Sequence, residues 1–228
     1  MIASQWSKLD GREIFSLSVS TQHHGSVEEE TARTIRAGLK AIEGEGLSTA
    51  HIVRSRLFTQ DRDSRQRASD VRRATLIGDL RGASSSFWDG QRLPADARVS
   101  LDIVVLRPQL PGATKQVVDY DPPIAPPMYV TLDGLVFLSG VTDTTPGLAA
   151  QAPAIRASIR ASLEAVGAHL RAARMMSVFL AREEDPRVAL ALIEEYFPEV
   201  RCPVTLTQVG GYSAPEKRLE IEITAALG

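Results

Sequence analysis

The chain has 228 residues, with 26 basic and 28 acidic side chains and a net charge of −2. That balance supplies no whole-molecule field to attract nucleic acid or an anionic membrane, so neither is an expected partner. A single cysteine, Cys202, excludes an intrachain disulfide and fits a reducing compartment. No window reaches the ~18 apolar residues of a membrane span, and no basic-then-apolar leader opens the chain, so a soluble, cytoplasmic protein is expected.

Taken in order, residues 13–17 read as a strand, and residues 30–43 place Ile35, Leu39 and Ile42 at helical spacing. A second strand follows over 52–58, a helix over 64–80, and an alternating strand over 98–104. Residues 109–127 lack periodicity and carry Pro111, Gly112, Pro122, Pro123, Pro126 and Pro127, the composition of an extended linker. The same order then recurs. A strand over 135–138 precedes a helix over 154–168 with Ile155, Ile159, Leu163 and Val166 inward, a strand over 175–180, and a helix over 186–197. That last helix opens with Pro186 after Asp185, a favourable first helical residue. An apolar run beginning at Arg201-Cys202 leads to the closing strand over 218–224. A repeat this long is a duplicated domain, far beyond the ~20–50 residues of a solenoid repeat. The expected organisation is a unit over 1–108, the linker 109–127 and a unit over 128–228, each α+β with two helices covering one sheet face.

Chemistry-bearing side chains concentrate in the last 28 residues. Arg201 can grip a carboxylate bidentately, and a glutamate on a neighbouring strand can hold water or a proton. Glu220 and Glu222 share a sheet face by period two, so one can be functional and the other merely solvated. Arg201 has a bland reading too, as a surface neutraliser of Glu199 or Glu220. Cys202 lacks a nearby histidine and reads as packing. His23-His24, His51 and His169 show no metal-ligand spacing, so no metal is expected. Arg62, Arg65, Arg67, Arg72, Arg73 and Arg81 alternate with aspartates and read as a salt-bridged, solvated helix face. Gly210-Gly211 has neither the lysine nor the helix start of a phosphate loop. Trp88 reads as a hydrophobic plug.

The second half resembles the RidA/YjgF family of reactive-intermediate deaminases, also called UK114-like or L-PSP proteins. The resemblance rests on the order of Leu135-Val136-Phe137-Leu138-Ser139-Gly140, Ser162-Leu163-Glu164-Ala165-Val166, Glu195-Tyr196-Phe197-Pro198 followed by Arg201, and Leu219-Glu220-Ile221-Glu222. The first half is similar more weakly, best at Arg92-Leu93-Pro94 and the strand beyond it. The resemblance implies two tandem chorismate-mutase-like α+β units, clefts between units, and trimeric packing. With two units per chain, that becomes a homotrimer of six units. It also implies an arginine that clamps the carboxylate of an imino or enamino acid, and a glutamate that helps water attack. These roles fall on Arg201 and Glu220, with Ser139, Gly140 and Cys202 contributing to substrate binding and no cofactor or metal required.

By the same resemblance the first-half counterparts are Ser85 and Ser100, which leaves that half catalytically silent. Departures from the family pattern fall at Pro126 and Pro127 in place of a tyrosine, at Pro203, and at the extra Gly210-Gly211-Tyr212-Ser213. Three readings of function stay open: an imine or enamine deaminase, a chorismatase-like or other tailoring hydrolase, and a non-catalytic sensor or scaffold for a carboxylate metabolite.

Overall fold

The structure is a computed structural model that describes residues 1–228 except His23, Pro111 and Ala125. The first unit is built from β1 (Ile2–Leu9), β2 (Arg12–Ser20), α1 (Val27–Gly44), β3 (Ile52–Thr59), α2 (Arg62–Thr75), β4 (Ala83–Trp88) and β5 (Val99–Arg107). Its sheet runs in the order β1-β2-β5-β3-β4. The second unit comprises β6 (Gln116–Val118), β7 (Tyr129–Leu132), β8 (Leu135–Leu138), β9 (Val141–Thr142), α3 (Leu148–Glu164), β10 (Ala173–Ala181), α4 (Pro186–Tyr196), β11 (Val204–Val209) and β12 (Leu219–Ala226). Its sheet runs β11-β10-β12-β8-β7-β6, so β7-β8-β12-β10-β11 repeats the first order strand for strand. In both units the third and fourth strands of that order carry a β-bulge, between Ile52 and Arg54 and between Ala173 and Met175. The tandem α+β expectation is met.

Local chemistry explains the repeat. Each unit opens on a hairpin closed by Asp-Gly, at Asp10-Gly11 and Asp133-Gly134, with all four residues at positive φ as a two-residue twisted turn requires. Ser26 and Glu29 form a capping box at the start of α1, Asp61 accepts from the Ser64 amide at 2.8 Å to start α2, and Asp185 precedes Pro186 at the start of α4. The helix expected over 64–80 ends at Thr75, and a short 3-10 turn occupies Gly78–Leu80. The linker is more than a spacer. Gln116–Val118 pairs antiparallel with β7 as the outer strand of the second sheet.

Each sheet buries one face against its own helices. Leu57, Leu101, Ile103 and Val105 meet α1 and α2 residues such as Ile35 and Ala68, while Val178, Leu180, Ile221 and Ile223 meet α3 and α4 residues such as Ile159 and Ile193. The opposite faces meet each other. Ile14, Val53, Val104 and Leu106 pack against Val130, Leu132, Leu135 and Phe137 at one end. Phe58, Phe87, Phe179 and Tyr212 form an aromatic cluster at the other, with Phe87 and Phe179 stacked at 4.3 Å. Since residues two apart on a strand share a face, the alternate residues of β3, β10 and β12 that lie between these two apolar patches face the other unit.

Candidate active site

Between the apolar patches the inner faces are polar. On β12 the inward residues are Glu220, Glu222 and Thr224, and facing them on β3 are Arg54 and Arg56. A charge so placed needs partners, and Glu222 has them. It is 1% exposed and receives Arg56 Nε at 2.9 Å, Arg56 Nη2 at 2.7 Å and the Ser85 hydroxyl at 2.6 Å. Arg54, also 1% exposed, brings Nε to 3.2 Å from the same carboxylate, too far out of line for a hydrogen bond from that N–H. Its other nitrogens donate to Thr224 Oγ1 and to the carbonyls of Leu138 and Ile223. Burial pushes the Glu222 carboxyl up, but Arg56 and Arg54 outweigh it and hold the group below the ordinary carboxylate range. Glu222 is therefore a fixed anion joining the two units.

Glu220 is buried to 6% exposure and has a different setting. Its Oε1 has no hydrogen-bond partner, and it borders a cleft of about 380 Å³ between the units. Its lining includes Ser84, Ser85 and Ser86 of β4, Gly140, Val141 and Thr142 after β8, and Tyr120, Ile124 and Pro126 of the linker. Arg65 and Lys217 also line it. Burial first, and the neighbouring Glu222 charge second, push the Glu220 carboxyl up to about 7 despite the nearby Ser85 hydroxyl, Lys217 and Arg65. Near neutral pH such a group is divided between acid and base forms, as proton transfer requires. The Thr142 hydroxyl is a second buried group with no partner beside the same cleft.

Ser139 and Gly140 fall at this seam. Ser139 Oγ accepts the Ser84 amide at 2.9 Å, and the Gly140 amide donates to the Ser84 carbonyl at 3.2 Å, so the loop after β8 is fastened to an edge strand of the other unit. A Cβ at Gly140 would stand 1.9 Å from Glu220 Oε1 and 2.5 Å from Ser85 Oγ. Only glycine leaves the space.

Arg201 and Glu220 are not brought together within the chain. Glu220 pairs across β10 at Phe179, whereas β11 starts at Val204 opposite Met176, which pairs with Ile223. Arg201 lies three residues before that start and is exposed, so at ~3.3 Å per residue it stands at least ~10 Å from the level of Glu220. Cys202 is half-buried against the second core, and burial raises its thiol pKa. The registers also revise the first-half counterparts. Aligning the two bulges makes Ser55 equivalent to Met176, hence Ser84 to Val204 and Arg81, three before Ser84, to Arg201. Ser85 is not the counterpart of Arg201. Ser100, paired with Phe58, does match Glu220, paired with Phe179.

Several functional positions escape a sequence reading. Arg72 and Arg65 leave the expected solvated face: Arg72 donates to the Ser85 carbonyl and Ser86 hydroxyl at 2.7 Å each, and Arg65 Nε to the Ser86 carbonyl at 3.2 Å. Arg67 and Arg73 do form the expected surface pairs, with Glu28 and Asp70. Tyr120 lines the cleft from within the linker, near where Pro126 and Pro127 replace the expected tyrosine. Gly210 and Gly211 are the bed of the Trp88 ring, and Trp88 exchanges two backbone hydrogen bonds with Gly211 across the unit boundary. Among the described residues no cluster of His, Cys, Asp and Glu could hold a metal, and no helix is long and apolar enough to cross a membrane. His23 of the His23-His24 pair lies outside the described residues.

No family model matches the sequence, and no curated protein does. Solved structures do match. A chorismatase aligns over 97% of this chain and 79% of its own at 12% identity, with a TM-score of 0.65. A member of the YjgF/YER057c/UK114 family from Mycobacterium tuberculosis aligns over 50% of this chain and 100% of its own at 20% identity (TM-score 0.45). A YjgF-family protein from Neisseria meningitidis aligns over 50% of this chain and 95% of its own at 24% identity (TM-score 0.40). The chain shares its fold, two tandem α+β units, with the chorismatase.

Proposed function

We propose that the chain is a hydrolase for a small carboxylate-bearing imine or enamine, working in the inter-unit cleft with Glu220 as its proton-transfer group. The observation that carries the reading is the buried Glu220 carboxyl, with an unpartnered oxygen on a cleft and a pKa near 7. In the reaction, Glu220 in its acid form first protonates an enamine at carbon, or an imine at nitrogen, to give an iminium. Water adds to the carbon, with the Glu220 carboxylate taking its proton and passing it to nitrogen. As the C–N bond breaks and ammonia leaves, the carboxylate takes the hydroxyl proton, which leaves an oxo acid and restores the acid form. Ser85, bonded to Glu222, and the Ser139-Gly140 loop hold the carboxyl in place. Freshly generated 2-imino acid should release ammonia faster with the protein than without it, and Glu220→Gln should abolish the acceleration. Binding of the carboxylate with no turnover to lose would return the chain to the sensor reading.

The likeness to a chorismatase over 97% of the chain favours a second substrate, an enol ether. There Glu220 in its acid form would protonate the methylene carbon, water would add to the resulting cation with its proton passing to the Glu220 carboxylate, and that proton would go on to the ether oxygen as the hemiketal broke into an oxo acid and an alcohol and returned its hydroxyl proton to Glu220. Release of oxo acid without ammonia distinguishes the two.

The homotrimer belongs among the proposals as well. The units of one chain already pack on each other through β4 and the Gly140 loop, so chains would meet through what that pair leaves open: the exposed strand β1 with Ile2 and Trp6, and the rim bearing Arg201. Light scattering at micromolar concentration tests it, a monomeric mass counting against it.

A further inference from the structure

The cleft has more positive charge than a proton-transfer site needs. Arg65, on α2 of the first unit, and Lys217, just before β12 of the second, are its cationic side chains among the described residues. The other nearby guanidinium groups are already committed: Arg54 and Arg56 to Glu222, Arg72 to the Ser85 carbonyl and Ser86 hydroxyl. Arg81, the register counterpart of Arg201, is gripped bidentately by Asp119. Arg201 itself stands exposed away from Glu220. Two half-buried cations thus face one carboxyl that is partly neutral at pH 7, an arrangement complementary to a small anion.

Resting on the reading of Glu220 as the acid–base group of this cleft, we propose that Arg65 and Lys217 are its anion-binding pair, receiving the substrate carboxylate that the resemblance assigns to Arg201. The geometry favours that role. Arg65 Nε donates to the Ser86 carbonyl at 3.2 Å and neither of its Nη groups is held by a carboxylate among the described residues, while Lys217 Nζ rests 3.0 Å from the hydroxyl of Ser213, another residue of the cleft lining. Burial lowers the pKa of each, with Glu220 opposing the effect, so the pair is held partly desolvated where an incoming carboxylate gains most. Because the two cations belong to different units and line the same cleft, a carboxylate held by both, of the 2-oxo or 2-imino class that the Glu220 reading takes as substrate, should tighten the unit boundary.

The test is calorimetric titration of the full chain with pyruvate at pH 7, which needs no turnover. Arg65→Gln and Lys217→Met should each weaken binding by about tenfold, while Arg201→Ala and Arg81→Ala stay within about twofold. Arg65→Lys and Lys217→Arg, which keep the charge, should retain most of the affinity and exclude loss through misfolding. The proposal is overturned if wild type shows no pyruvate binding, or if Arg201→Ala or Arg81→Ala loses affinity while Arg65→Gln and Lys217→Met keep it. Glu220→Gln separates the two readings, since it should preserve pyruvate binding whether or not it removes turnover.

Discussion

The two units place the same strand in the same position and load it differently. On β5 the inward pair is Ser100 and Asp102, and on β12 the equivalent pair is Glu220 and Glu222. Ser100 itself carries no carboxyl, and Asp102 is partly exposed beside Arg92 at 3.5 Å. Around Glu220 the other unit closes a cleft, and Glu222 is fully enclosed by Arg54, Arg56 and Ser85. The duplicated fold therefore carries a pair of buried carboxyls on one unit's strand and a serine with a partly exposed aspartate on the other's. What makes the difference is the partner surface: the edge strand β4 of the first unit completes the site of the second.

The largest expected effect comes from breaking the buried cluster. Glu222→Gln leaves two enclosed guanidinium groups without their anion and should cost about 3–5 kcal/mol in urea unfolding. Glu220→Gln should do the reverse. A carboxyl whose folded pKa is about 7 against an ordinary 4.5 binds more protons folded than unfolded between those values. Its contribution to stability is therefore fully present below the unfolded pKa and is lost as pH rises to 7. Replacing it should make the protein more stable at pH 8 by on the order of 3 kcal/mol, with little change at pH 4. The same variant should lower turnover by about 10²-fold or more, if turnover is by the proposed route.

Gly140→Ala sharpens the comparison without changing any charge. Its methyl group overlaps the Glu220 carboxyl and Ser85, so stability should fall by about 1–3 kcal/mol, with turnover falling as Glu220 is displaced. Ser85→Ala, whose resemblance-based reading is inert, should instead cost about 1–3 kcal/mol through the lost bond to Glu222. The smallest effect is expected from Ser100→Ala, within about 0.5 kcal/mol and with activity unchanged. A loss of activity there would erase the asymmetry.

Much of the fold is legible in the chain because helix periodicity and the strands over 52–58, 98–104 and 175–180 are local signals. The strands β1 and β4 are not. β4 reads Ala-Ser-Ser-Ser-Phe-Trp, with no alternation, and its serines tolerate burial only because Arg72, Arg65, Ser139 and Glu222 satisfy them from elsewhere. The site divides in the same way. Period two does place Glu220 and Glu222 on one face, but which is fixed and which is free depends on Arg54 and Arg56, whose partner Glu222 lies 166 residues from Arg56 in sequence. The Asp-Gly hairpins were readable local signals of the duplication.

The most direct test of the account is the titration of Glu220 itself, followed by ¹³C NMR of side-chain carboxyl-labelled glutamates in wild type and in Glu220→Gln. One carboxyl resonance, absent from the variant, should titrate with a midpoint near pH 7, while Glu222 stays ionised below the ordinary carboxylate range. A Glu220 midpoint near 4.5 would contradict the account, since the cleft would then hold an ordinary carboxylate with no proton to give at neutral pH.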